Sequence, residues 1–176
     1  MLPVDEYNVK LVQTGHFRHL PPIASGETPE FKDFLDDWGG KWMWEGLSLN
    51  EKPEWVAECL RNGTLVCVTD GSYMKKSAPD LCSAGWILAC RRTRRYIRGT
   101  LVERSPWANS YRGELLGMLA IRLFLLAVEE YHDVVSSGTQ AFCDCKGVIT
   151  TFEKKGKRVP TGKKNGNILR VLQPSG

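Results

Sequence analysis

The rhythm of apolar and polar residues changes twice along the chain. Up to residue 30 no period holds, and Pro3, Gly15, Pro21, Pro22, Gly26 and Pro29 interrupt the run, which predicts an irregular arm. Phe31, Phe34, Leu35 and Trp38 then fall at i, i+3, i+4 and i+7, the spacing of one helix face, with Gly39-Gly40 as its stop. Residues 53–60 (PEWVAECL) predict a second short helix, with Pro53 near its first turn and Asn62-Gly63 closing it. From residue 64 the pattern becomes strand-like. TLVCVTDGS (64–72) is an apolar, β-rich run that stops at Asp-Gly, Ser83–Arg91 reads as a second strand, Arg92–Arg94 as a hairpin turn, and Tyr96–Glu103 as a third strand. Short links between these three predict an antiparallel meander.

Tyr111–Tyr131 predicts the longest helix, rich in Leu, Met, Ala and Ile at helical spacing, with Ser110 placed to cap it. Thr139–Cys145 (TQAFCDC) predicts a fourth strand, and a strand that follows a crossover helix is expected to run parallel to an earlier one. Gly147–Lys155 begins a further helix, and ILRVLQ near the end starts one more short element. The order β-β-β-α-β predicts an α/β fold: a mixed sheet of three antiparallel strands, a crossover helix and a parallel fourth strand. Residues 1–61 form an irregular and helical N-terminal extension and residues 62–176 the domain proper.

Charge sharpens this division. Residues 1–60 hold 5 Lys/Arg against 11 Asp/Glu, a net of −6, whereas residues 61–176 hold 19 against 9, a net of +10. A basic half suits a polyanion partner such as nucleic acid, and Arg91–Arg98 and Lys154–Lys164 are its densest stretches; solvated surface charge is the plain alternative. Phe31, Trp38, Trp42 and Trp44 are read as pins that hold the extension on the domain rather than as a base-stacking platform. His16 and His19 are read as ordinary loop histidines, because no nearby Cys completes a metal site. The six cysteines contain no C-x-x-C pair, and MLPVDEYNVKLV lacks a basic region followed by an apolar one. Reduced thiols in an intracellular protein, nuclear or cytoplasmic and not secreted, are therefore expected. The longest apolar candidate, Leu115–Val128, contains Arg122 and falls short of the ~18 residues a membrane span needs.

Three acids sit where acids are structurally unexpected. Asp70 ends an apolar strand, Glu114 lies in the first turn of a very apolar helix, and Asp144 stands between two cysteines in a strand. Alternation along that strand puts Cys143 and Cys145 on one face and Asp144 on the other. If the first and fourth of these strands are neighbours, Asp70 and Asp144 approach each other, and a helix crossing the sheet brings Glu114 to them. Converging carboxylates repel one another, more so when buried. A hard divalent cation such as Mg²⁺ removes the conflict. Two such ions about 4 Å apart can activate water and stabilise the leaving oxygen in phosphodiester cleavage. Singly, each acid has an ordinary explanation, a turn for Asp70 or a helix dipole for Glu114. The ordered set is what points to chemistry.

VTDGS at 68–72, AGW at 84–86, YRGEL at 111–115 and FCDCKGV at 142–148 resemble the motifs of ribonuclease H in their usual order. They are most similar to the ribonuclease-H-like domain of retroelement reverse transcriptases, and WVAECLRNGTLVCVTDGSY at 55–73 is similar to the lead-in of some retroelement-derived proteins. The resemblance covers about residues 55–150. It implies hydrolysis of the RNA strand of an RNA–DNA hybrid with Mg²⁺ or Mn²⁺, Asp70, Glu114 and Asp144 being the catalytic and metal-holding acids. It further implies nucleic-acid contacts at Gly71, Ser72, Ser110, Tyr111, Arg112 and Lys146, and a polymerase domain in a parent polyprotein. The family has amide residues where this chain has Ser110 and Tyr111, and a Gln where it has Lys146. It also continues to a fourth acid preceded by a His, whereas here Glu153 is the last carboxylate side chain and His132 the last histidine, so the domain reads as incomplete at its C-terminus. A catalytically weak or inactive nucleic-acid-binding remnant of such a domain is the alternative function.

Overall fold

The computed structural model describes residues 5–9 (backbone only), 30–49 and 51–148. The elements are β1 (Asp5–Val9), α1 (Phe31–Asp36), a 3₁₀ turn (Lys41–Met43), α2 (Glu54–Asn62), β2 (Leu65–Tyr73), β3 (Leu81–Cys90), β4 (Tyr96–Arg104), α3 (Ser110–His132) and β5 (Thr139–Cys143). The fold is α/β, built on one five-stranded sheet in the order β1-β5-β2-β3-β4. β2, β3 and β4 form the expected antiparallel meander, and β5 returns parallel to β2 after the crossover through α3. The register pairs Leu65 with Cys90 and Tyr73 with Cys82 at the two ends of β2, and Thr69 with Cys143 across to β5.

Three expectations are corrected. Part of the N-terminal arm is not irregular: Asp5–Val9 adds antiparallel to β5 and covers that edge of the sheet. Strand β5 stops at Cys143, so Asp144 follows the strand instead of lying within it. The cap of α3 is Asn109, whose side-chain Oδ1 accepts the Arg112 backbone N–H at 2.8 Å, so Ser110 is already inside the helix and Glu114 lies past its first turn. Residues 146–148 are helical; the rest of the expected helix Gly147–Lys155, the expected element at 168–173, the basic stretch 154–164, and His16 and His19 lie outside the described residues.

α3 is buried along almost its whole length because it is covered on two sides. The sheet lies on one side, through Cys67, Ala84, Trp86 and Leu88, and the N-terminal segment lies on the other. Phe31 meets Phe124 and Tyr131 edge-on at 5.7 and 5.3 Å, Trp44 lies 6.3 Å from Phe124, and the Trp44 indole N–H donates to the Trp38 carbonyl. Residues 31–60 therefore share a single apolar core with the domain, and of the tryptophans in the N-terminal segment Trp42 alone is substantially exposed. The other face of the sheet presents Val68, Ile87, Tyr96 and Val102, all exposed among the described residues. Among those residues no helix is long and apolar enough to cross a membrane.

Near the end of α3, burial raises the carboxyl of Glu129 from 4.5 to about 7, against the Ser136 backbone N–H and the Arg122 charge, which both favour ionisation. A carboxyl raised in the fold contributes stability that is complete below pH 4.5 and lost as pH rises through 7. The melting temperature of Glu129→Gln is therefore expected to fall less than that of the wild type between pH 5 and 7. Parallel curves in a calorimetric pH series would contradict this.

Candidate metal centre

β2 and β5 are the two central parallel strands, and their last paired residues are Thr69 and Cys143. The next residue on each chain is an acid, Asp70 and Asp144, both exposed. Adjacent strands lie ~4.8 Å apart, so these two carboxylates leave the backbone side by side at one end of the sheet. Glu114 comes from α3 above them. Its Oε1 accepts the Gly71 backbone N–H at 2.7 Å, and its Oε2 accepts the Cys143 thiol at 3.5 Å. The helix reaches this depth because residue 71 is glycine: a Cβ there would stand 2.5 Å from the Glu114 backbone nitrogen and 2.7 Å from the Gly113 carbonyl carbon.

Ligand atoms of Glu114, Cys143 and Asp144 all lie within 4.8 Å of one another, whereas Asp70 is not part of that group and reaches Glu114 through its charge. Glu114 is buried, with 5% of its surface exposed. Burial raises its carboxyl above the ordinary value, and the charges of Asp144 and Asp70 add to the effect, while the Gly71 N–H and the Cys143 thiol stabilise the ionised form. Burial also pushes the Cys143 thiol to about 12, with Glu114 contributing. The sulfur is thus a neutral donor to Glu114 and not a ready thiolate. Glu114 and Asp144 remain as the oxygen donors of this group, a set able to hold a metal ion.

The residues expected to touch nucleic acid do not behave alike. Gly71 is half-buried and its N–H is taken by Glu114, whereas Ser72 is exposed next to Asp70. Ser110 is exposed and Tyr111 half-buried in the first turn of α3, with the Tyr111 ring beside Gly147, and Lys146 is exposed two residues after Asp144. Arg112 is held elsewhere. It is 5% exposed and forms a two-pronged ion pair through Nε and Nη2 with the carboxylate of Glu103 on β4. Its charge serves the packing of α3 against β4 and is not offered to a phosphate. The arginines of 91–95 are exposed but occupy the turn beside Cys90, at the Leu65 end of β2. Five strand residues separate Leu65 from Asp70, roughly 17 Å at ~3.4 Å per residue. At the acidic end the exposed cations among the described residues include Lys75, Lys76, Lys146 and Arg104, the last paired with Asp80.

Sequence reasoning missed the part played by Cys143. Alternation set it on the face opposite Asp144, whereas β5 ends at Cys143 and the ligand atoms of the two lie within 4.8 Å of each other; the depth at which Glu114 enters depends on Gly71, which no periodicity reports. Compared with known proteins, the chain matches no family model, no curated protein and no solved structure.

Proposed function

We propose that this chain is a metal-dependent phosphodiesterase of ribonuclease H type that cleaves the RNA strand of RNA–DNA hybrids. One observation carries the reading: Asp70 and Asp144 directly follow the last paired residues of neighbouring parallel strands, and the buried Glu114 accepts the backbone N–H of Gly71 and shares a group of ligand atoms with Asp144. The motif order described above agrees with this placement. Asp144 and Glu114 would hold the ion, with the charge of Asp70 acting on the same site. A divalent ion held there supplies an activated water and charge stabilisation for the leaving oxygen. The chain's own residues do the rest. Gly71 and Cys143 hold the Glu114 carboxylate in one orientation by donating to its two oxygens. Ser72, Tyr111 and Lys146 are close to the acids in the chain and would fix the strand being cut. The exposed arginines of residues 91–95 lie too far away to act on the scissile phosphate and would grip the duplex at a distance.

The test is incubation of the full chain with a hybrid labelled in either strand, in Mg²⁺ or Mn²⁺ and then in chelator. The expected result is metal-dependent cutting confined to the RNA strand, with affinity that falls as salt rises. A folded protein that binds the hybrid in that salt-sensitive way yet cuts neither strand in either metal would instead favour the non-catalytic remnant.

A further inference from the structure

Away from the carboxylates, two thiols meet where the N-terminal segment joins the sheet. Helix α2 ends at Gly63 in the left-handed region (φ 62°), with Thr64 N–H donating to the Cys59 carbonyl at 3.1 Å. This turn delivers Thr64 to the start of β2, where its carbonyl accepts the Arg91 N–H at 2.9 Å. Cys59, Thr64 and Cys90 are thereby brought together. Thr64 Oγ1 lies 3.8 Å from Cys90 Sγ, and the Cys59 and Cys90 thiols are near enough for each to alter the ionisation of the other. Both cysteines retain a trace of exposure, 6% and 7%, unlike the deeply buried Cys67.

The two sulfurs are not equivalent. Burial opposes ionisation of Cys90, but hydrogen bonds from the Thr93 hydroxyl, the Cys59 thiol and the backbone amides of Arg92 and Thr93 outweigh it and bring its pKa down to about 6. Arg91, Arg92, Arg94 and Arg95 surround this turn with positive charge. Cys59 is shifted the other way, by burial first. The pair thus combines a nucleophilic thiolate with a protonated partner thiol already in contact with it.

We propose that Cys90 and Cys59 are a peroxide-oxidisable dithiol whose disulfide ties helix α2 to the end of β3. The Cys90 thiolate attacks one oxygen of hydrogen peroxide. The O–O bond breaks, a sulfenic acid forms on Cys90, and the departing hydroxide takes a solvent proton to become water. The Cys59 sulfur then attacks the Cys90 sulfur and displaces hydroxide, which leaves as water with the Cys59 proton. Two thiols and one peroxide give one disulfide and two waters, the sulfurs losing the two electrons the peroxide gains. The bond closes the chain from residue 59 to 90, which contains β2 and all of β3, and constrains the unfolded state accordingly.

The experiment uses the full chain, reduced, desalted and treated with a small excess of hydrogen peroxide, then alkylated, digested and mapped by mass spectrometry. The expected product is a Cys59–Cys90 linked peptide, reversed by phosphine, with Cys67 and Cys143 still recovered as thiols. The oxidised protein is expected to melt roughly 5–10 °C higher than the reduced one. In Cys59→Ser, dimedone should trap a sulfenic acid on Cys90. Peroxide that leaves both residues as thiols, or that oxidises Cys82 or Cys145 first, would overturn the proposal, as would a linked peptide joining any other pair.

Discussion

Glu114→Gln is expected to lower hybrid cleavage by at least ~100-fold, about 2.7 kcal/mol of transition-state stabilisation, while making the metal-free protein more stable at neutral pH. The two effects have opposite signs because the carboxylate is costly without an ion and needed with one. Glu114 is buried beside Asp144 and Asp70, and its pKa is raised in the fold. A raised carboxyl contributes stability that is complete below its unfolded value near 4.5 and lost as pH rises through the folded value. Above the ordinary carboxyl range the wild type has therefore lost stability that the Gln variant keeps. At pH 4 the two are expected to converge. Gln retains an Oε1 that can accept the Gly71 N–H, so the local geometry is kept. Urea midpoints at pH 4 and pH 8, with cleavage rates at pH 8, read both effects. A Gln variant that is less stable at pH 8 would mean that the ionised carboxylate holds the fold together and was not placed there to bind a cation.

Arg112→Ala is expected to destabilise the protein by about 3 kcal/mol, the lower end of the range for breaking a buried ion pair. The lower end applies because Glu103 keeps 19% side-chain exposure and part of its hydration, whereas Arg112 keeps 6%. Against a total stability of ~5–15 kcal/mol this is a large fraction. Replacing both residues by Ala should cost less than the sum of the single changes, since the second removes a charge already stranded by the first. Denaturant midpoints at constant slope measure it. An Arg112→Ala protein with an unchanged midpoint but weaker hybrid binding would return this side chain to the phosphate-contacting role that its motif position implies.

Much of the architecture is written in the periodicity. The three-strand meander, the long helix and the parallel return strand are each specified by local pattern, and the register then follows from which faces are apolar: Cys67 and Thr69 face α3, while Val66, Val68 and Asp70 alternate away. The tryptophan-rich segment was legible for the same reason, its i and i+3 residues Phe31 and Phe34 being those that reach Phe124 and Tyr131, and Leu35 and Trp38 being buried with them. Strand β1 was not legible, because DEYNV has few apolar residues and owes its place to an open backbone edge on β5. The carboxylate site was legible as a set of residue types but not as a geometry. The approach of Glu114 is decided by the missing Cβ at Gly71, and the fate of Arg112 by a partner nine residues earlier on another element. The motif order singled out Arg112 as a contact, and only tertiary packing reveals that Glu103 holds it first. The Cys59–Cys90 contact depends on a left-handed turn at Gly63 and a hairpin at 91–95, each ordinary alone.

The most direct measurement compares wild type with Asp70→Asn on a hybrid carrying label in the RNA strand, in Mg²⁺ and in Mn²⁺, with both proteins from the same purification and of equal thermal stability. The account predicts metal-dependent cutting by the wild type and none by Asp70→Asn. Equal cutting by both proteins would contradict the assignment of Asp70, Glu114 and Asp144 as the centre that performs it.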